Sequence, residues 1–416
     1  MKQVFEGVKI ADFSWVAVGP QISRELAEHG AMVVRVECHK NPDPIRTMAP
    51  FRDNITTVDR SAFGAAYNTG KYGISLDLNK PKAQDIAKRL VKWADIVQES
   101  YTPGTMAKWG LDYENCRKIN PEIIYLSTCQ HGQYGPFSKL PGFGAFSSIM
   151  GGYSSITGWP DRDPAVLWNN FTDFIAPEYA VMALIGALAY RERTGRGMYI
   201  EESQLEAALS FLGPAILDYT ANGRVAKRRG NRDIYMVPHG VYRCRGDDYW
   251  AAIAVSSEEE WQSFCKVLGD PQWTNDPKFS SFASRKENED ELDVLVAAWT
   301  VNYTAQRVMT TMQAKGVPAG VVEKAQEVLD DPQLRHREHF RFLEHKTIGK
   351  MPLHSPAYKL SKTPCHMWKA PPCLGEDNLF VYKEVLGLSE DAISDLIVEG
   401  VITTEADVPE FLKGKD

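Results

Sequence analysis

The sequence predicts an α/β fold, a parallel sheet with helices on its faces, joined to a smaller α+β domain. Three observations carry this. Residues 8–13 and 31–37 are short apolar runs, and between them residues 21–29 form an amphipathic stretch, the spacing of a strand-helix-strand unit. The pattern recurs, with a helical period over 83–93 and strand-like runs at 95–98 and 122–127, and parallel strands joined by helices are buried on both sides. After the polar, basic, glycine-containing segment 225–232 the texture changes to that of a hairpin followed by helices.

The remaining elements follow in order. Residues 142–152 are small and apolar, and Gly158-Trp159-Pro160-Asp161 with Asp163-Pro164 mark a turn-rich connection. A long helix is predicted over 176–193, with Pro177 tolerated in its first turn and Thr194-Gly195-Arg196-Gly197 ending it. A strand at 198–200 and a helix over 203–215 complete the first part. In the second, residues 241–244 and 249–254 pair as a hairpin around Gly246-Asp247-Asp248, and two or three helices run to about residue 328. The last stretch holds two loose strands, the proline-rich Ala370-Pro371-Pro372 and a closing helical pair at 380–386 and 391–399. The domains expected are 1–225, 226–330 and a segment 331–416 that returns to the first.

Composition excludes several classes. With 416 residues, 44% of them hydrophobic, the chain is long enough for two cores. Against 54 Asp and Glu stand 47 Lys and Arg, so neither nucleic acid nor a membrane surface is an expected partner. Residues 1–7 have no apolar leader core, and no uncharged run reaches the ~18–20 residues of a membrane span, so a cytoplasmic protein is expected. Seven scattered cysteines without a C-x-x-C pair fit reduced thiols, and no metal is expected.

Asp173, between aromatic neighbours ahead of the long helix, admits two readings. Either Thr172 or Asp173 caps the helix, or the carboxylate is a partly desolvated nucleophile near the helix's positive end. The Gly-x-Gly-x-x-Gly fingerprint is missing after the first strand, which disfavours a nicotinamide dinucleotide, and Glu37 then reads as a solvated strand-terminal charge. Gly151 to Gly158 are either a ligand-approaching loop or a flexible turn. His131 follows a strand and can face a cleft, and His239 precedes the hairpin; loop histidines are commonly just exposed. Cys38 and Cys129 read as structural thiols.

Six stretches, in this order and spacing, resemble the class III CoA-transferases (the CaiB/BaiF family), which include formyl-CoA transferase and carnitine CoA-transferase. They are Phe5-Glu6-Gly7-Val8-Lys9-Ile10-Ala11-Asp12-Phe13, Gly30-Ala31-Met32-Val33-Val34-Arg35-Val36-Glu37, Gly70-Lys71-Tyr72-Gly73-Ile74-Ser75-Leu76-Asp77-Leu78, Ala94-Asp95-Ile96-Val97-Gln98-Glu99-Ser100-Tyr101-Thr102-Pro103-Gly104, Arg191-Glu192-Arg193-Thr194-Gly195-Arg196-Gly197 and Pro371-Pro372-Cys373-Leu374-Gly375-Glu376. The resemblance implies a Rossmann-like large domain and a ring-shaped chain interlocked as a homodimer. It implies CoA esters as substrates, no tightly bound cofactor, and Asp173 as the nucleophile that carries the acyl group and then CoA. Residues similar to the family's CoA-binding positions are Val16, Leu76, Asn79, Ser100, Tyr101, Lys108 and Trp109.

The chain departs from formyl-CoA transferase at Ala17, Cys38 and Gly144, where that enzyme has glutamine, arginine and glutamate, and it lacks that enzyme's glycine-rich flap. Formate and oxalate are therefore disfavoured. Trp15, Ala17, Phe143, Gly144 and Phe146 are expected to shape a pocket for a larger, aromatic or branched acid. Three alternatives stand beside this: an acyl-CoA racemase, which carries a histidine in the context where this chain has Gly142-Phe143-Gly144; a non-catalytic paralogous subunit of a heteromer; and a thioesterase.

Overall fold

The computed structural model describes residues 2–166 and 170–413. It divides into two compact units, one made of residues 1–153, 166–223 and 336–416, the other of residues 154–165 and 224–335. The short segment 154–165, read from the sequence as part of the first domain, clusters with the second.

The first unit is built on six strands, β1 (Lys9–Asp12), β2 (Met32–Glu37), β3 (Tyr72–Ser75), β4 (Ile96–Glu99), β5 (Ile124–Cys129) and β6 (Met198–Ser203). They pair entirely in parallel in the order β3-β2-β1-β4-β5-β6. β3 is an element the sequence reading did not name; Tyr72-Gly73-Ile74-Ser75 is short and interrupted by glycine, a weak strand signal. Successive side chains leave a strand on opposite faces. Ala11, Val34 and Val97 accordingly pack under the helix Pro81–Trp93 and the C-terminal Val381, Tyr382 and Ile393. Their neighbours Ile10, Val33 and Ile96 pack with Ile124 under the helices Val18–Glu28 and Thr172–Thr194.

By length and composition Thr172–Thr194 is apolar enough to cross a membrane. Here Ile175, Ala176, Ala180, Leu184 and Ala187 are buried against the sheet. It begins four residues before the predicted start. The predicted helix over 203–215 is instead Gln204–Leu209 and Gly213–Asn222, separated by a 3-10 turn ahead of Pro214.

In the second unit β7 (His239–Arg243), β8 (Trp250–Ala254) and β9 (Ala319–Val321) form an antiparallel sheet. Tyr242, Ala251 and Ile253 pack on Trp261, Phe264, Leu292, Val296, Val308 and Met312 from three helices. Short further helices at Phe282–Glu287 and Ala325–Asp330 exceed the two or three expected. Returning to the first unit, the chain forms a hairpin of β10 (Phe340–His345) and β11 (Gly349–His354), then Phe380–Val385 and the helix Glu390–Val398.

Two glycines of the family-like segment 191–197 have separate physical duties. Gly195 ends the long helix in the left-handed conformation, φ 67°, donating its N–H to the Arg191 carbonyl at 2.8 Å. At Gly197 a Cβ would lie 2.0 Å from the Ile123 carbonyl oxygen, because the strand that follows must enter the sheet against β5. Backbone cannot yield as a side chain does. Gly197→Ala should therefore destabilise the protein by more than about 2 kcal/mol in urea unfolding; a midpoint unchanged from the parent would show that the close approach is not required.

Candidate active site

β1 and β4 lie side by side at the point where the strand order reverses. The chain leaving β1 enters Val18–Glu28 on one face, whereas the chain leaving β4 packs Met106, Leu111 and Cys116 on the other. Diverging connections open a crevice at the carboxyl edge, the usual ligand position in open α/β sheets. A cavity of about 140 Å³ occupies it. Its walls come from Trp15 to Val18 after β1, Ser100 to Pro103 after β4, Cys129 to His131 after β5, the loop 138–144, Asp173 and Gln204.

Asp173 stands in the first turn of Thr172–Thr194, and neither it nor Thr172 caps that helix. The N-cap is Phe171, without a side-chain cap bond; Thr172 Oγ1 instead donates to the Gly144 carbonyl at 3.0 Å. Asp173 is only 7% exposed, and burial pushes its carboxyl up to about 7, a hydrogen bond from Asn170 opposing the shift. Its backbone is fixed on both sides: its N–H donates to the Asn170 carbonyl at 2.8 Å, and its carbonyl accepts from Gln21 Nε2 at 2.8 Å. Neither Gln21 nor Asn170 was singled out in the sequence. For Gln21 the available signal was its place in the first turn of the helix that follows the cavity loop.

Gly144 does not leave room for an acid. A Cβ there would lie 2.2 Å from Asp173 Oδ1 and 2.5 Å from Cγ, so the space a side chain would take is filled by the carboxylate itself. Trp15, Val16, Ala17, Tyr101 and Phe143 line the cavity with it. Phe146 is not among its walls; its ring packs edge-on to His131 at 6.3 Å between centroids. Both His131 ring nitrogens are shielded from solvent without a partner among the described residues, and burial lowers the pKa of the ring, which favours the neutral imidazole. Burial raises the Cys129 thiol to about 12, so it is protonated and inert. His239 lies in the second unit, its Nδ1 paired with the Asn231 carbonyl.

The residues carried over as CoA contacts separate into three groups. Trp15, Tyr101 and Trp109 form a ladder of rings with centroids 5.3 and 5.4 Å apart, and Trp109 Nε1 donates to Asn79 Oδ1 at 3.4 Å. Lys108 is exposed in the short helix Thr105–Lys108 beside Trp109. Together these make a continuous aromatic and polar track leading out from the cavity, suited to stacking and to a phosphate contact. Ser100 is a support: its Oγ accepts from the Trp15 N–H at 2.7 Å and donates to the Trp15 carbonyl at 3.1 Å. Leu76, 1% exposed, belongs to the core.

Residues 5–378 match the model of CoA-transferase family III, and the chain belongs to that family. It is 32% identical over 95% of its length to the succinyl-CoA–D-citramalate CoA-transferase of Chloroflexus aurantiacus, 98% of which is covered. It is 30% identical over the same share to the succinyl-CoA:glutarate CoA-transferase of Mus musculus, of which 90% is covered. Among solved structures, a CaiB/BaiF family protein from Brucella suis superposes with a TM-score of 0.85 at 27% identity, covering 92% of this chain and 100% of the other. The protein is a CoA-transferase, with the parallel-sheet α/β fold of its family.

Two outcomes follow from the carboxylate's surroundings. With Asp173 read as the nucleophile, Gly144→Ala should cut kcat by roughly a hundredfold or more, because the Asp173 oxygens must swing out of position; a kcat within threefold of the parent would show that the carboxylate does not work from this position. The raised pKa also sets a stability trend. A native state that binds the Asp173 proton more tightly than the unfolded chain, about 7 against 3.8, loses stability as pH rises between those values. Asp173→Asn should therefore unfold at a higher temperature than the parent at pH 8, and the gap should close below about pH 4. Equal melting curves at pH 8 would mean that the buried charge costs nothing.

Proposed function

We propose that this enzyme transfers CoA from an acyl-CoA to a carboxylic acid through covalent intermediates on Asp173. The observation that carries the reading is a buried carboxylate without an ion pair among the described residues, opening on a cavity at the sheet's switch point. Carboxylates are poor nucleophiles in water because solvent stabilises the charge that must attack. Withdrawing Asp173 from solvent removes that stabilisation and shields a reactive anhydride from hydrolysis.

The steps balance as two exchanges. An Asp173 oxygen attacks the donor's thioester carbon, giving a mixed anhydride and CoA thiolate. The thiolate attacks the Asp173 carbonyl, giving an aspartyl-CoA thioester and releasing the donor acid as carboxylate. The acceptor carboxylate then attacks that thioester, forming a second anhydride and freeing the thiolate, which takes the acceptor acyl group and restores Asp173. No proton is consumed overall, which suits a cavity whose histidine is held neutral. Phe143, at the place where a racemase has its histidine, supplies no group for proton transfer at an α-carbon.

The acceptor that fits best is larger than formate or oxalate and has an aromatic or branched apolar body. Trp15, Val16, Leu140 and Phe143 line the cavity, and among its described walls there is no Lys or Arg. A second reading takes a dicarboxylic acceptor, as the names of the two relatives specify. The uncharged wall favours the first, since a second carboxylate would be buried without a partner. Assembly as a homodimer goes with the proposal: Phe174, Met182 and Ile185 on the nucleophile's helix, with Phe211, Leu217 and Tyr219, are exposed apolar side chains for a second copy to cover.

Incubation with a competent acyl-CoA and no acceptor, followed by hydroxylamine, should convert one aspartate to a hydroxamate in the tryptic peptide 163–191. Turnover with that peptide unmodified would rule out the covalent route. In a donor-by-acceptor screen, phenylacetate or isobutyrate should give a higher kcat/KM than glutarate or D-citramalate; the reverse order would establish the dicarboxylic reading.

A further inference from the structure

The loop after β1 holds a conformation that its sequence does not favour. Val16 has φ 61°, in the left-handed region where a β-branched side chain crowds the backbone. Glycine would adopt it freely, yet this position carries valine. Such a residue persists only where its surroundings over-determine it, and here the determining group is Asp43. The Val16 N–H points between the two carboxylate oxygens of Asp43, at 3.1 and 3.0 Å. Asp43 is 1% exposed and pairs with the fully buried Arg35 guanidinium on β2, which reaches Glu37 at 3.1 Å. Behind the loop, Val16 packs against Ala17, Ile45 and Tyr67.

The turn at Val16 fixes what stands on each side of it. On one side is Trp15, whose two backbone polar groups are both held by Ser100 and whose ring begins the aromatic ladder. On the other is Ala17, which leads into the helix whose Gln21 donates to the Asp173 carbonyl. We propose that Asp43 is a positioning residue of the transferase, holding Val16 in its left-handed turn so that Trp15 and Gln21 meet the CoA ester and Asp173 in register. Asp43 lies behind the cavity wall and touches neither Asp173 nor the cavity; it acts through the Val16 backbone. This rests on the reading that the Asp173 cavity receives the acyl end of the CoA ester.

An ordinary structural duty would look different. Asp43 also accepts from the Ile45 N–H at 3.0 Å at the start of a short 3-10 turn, and a cap or ion pair alone would affect stability without regard to residue 16. The discriminating experiment is a double-mutant cycle on the full-length protein, with coenzyme A affinity from calorimetry and kcat/KM for a competent acyl-CoA as readouts. Asp43→Asn keeps the shape but removes the charge and the paired acceptor. It should lower kcat/KM and CoA affinity by roughly tenfold or more in the Val16 background. In a Val16→Gly background, where the turn needs no clamp, the same substitution should cost less than threefold. Equal losses in the two backgrounds would overturn the inference.

Should Asp43→Asn not fold, Val16→Pro gives the answer alone. It removes the N–H that Asp43 accepts and forbids the positive φ, so, with folding checked by circular dichroism, it should lose CoA affinity by a similar factor. Parent-level affinity in Val16→Pro would equally overturn the proposal. The Asp173→Asn variant separates the two readings. If it turns over, the cavity assignment fails whatever Asp43 does; if it is inactive while the Asp43 and Val16 variants bind and turn over normally, only the role of Asp43 fails.

Discussion

Everything at the carboxyl edge of the large sheet depends on one buried group of charges centred on Arg35. That side chain is fully enclosed on β2 and meets Asp43, Glu37 at 3.1 Å and Asp12 at 4.0 Å. Lys71 reaches Asp12 at 3.2 Å, and Arg46 reaches Glu37 and Asp59, each at 2.8 Å. Removing one ion from water costs several kcal/mol, which is recovered only when every partner is present in good geometry. The group is therefore cooperative, and Arg35 and Arg46 hold the Glu37 carboxyl far below its usual range although burial pushes the other way. Glu37, expected to be a solvated strand end, is one of its inner members.

Polar anchoring of this kind suits a binding loop. Apolar packing is nondirectional and lets a loop settle anywhere within its contact area, whereas hydrogen bonds to a buried carboxylate and hydroxyl fix positions to tenths of an ångström. The loop after β1 uses both resources, with Asp12, Asp43 and Ser100 fixing its backbone and Ala17 with Tyr67 closing behind it.

The same edge of the sheet treats its carboxylates in two opposite ways. Asp12 and Glu37 are paired with Lys71, Arg35 and Arg46, which hold both carboxyls below their usual range against the effect of burial. Asp173 is buried without an ion pair among the described residues, and its proton affinity rises toward neutrality. Such a buried carboxyl destabilises the fold; Gly144 leaves it the space it fills, Gln21 holds its backbone carbonyl, and Asn170 donates to its side chain. Burial raises Glu99 and Glu202 to about 7 as well, so Asp173 is set apart by its place on the cavity wall.

Much of this architecture was legible in the chain. Short apolar runs separated by period-3.6 stretches gave β1, β2, β4, β5 and the helices between them, because parallel strands buried on both faces are apolar along most of their length. The order of the six family-like segments identified the family, and Asp173 was named before any geometry. Two strands were not legible: β3 is interrupted by Gly73, and β9 has only three residues. What only the tertiary structure decided are relations between residues far apart in sequence. Gly144 lines the cavity directly against Asp173, Ser100 supports Trp15, and Leu76 lies in the core. A sequence records which side chains are apolar or charged, and so where the chain must be buried. It does not record which charges meet after burial, because partners such as Asp43 and Val16 are brought together only by the crossing of loops over the sheet edge.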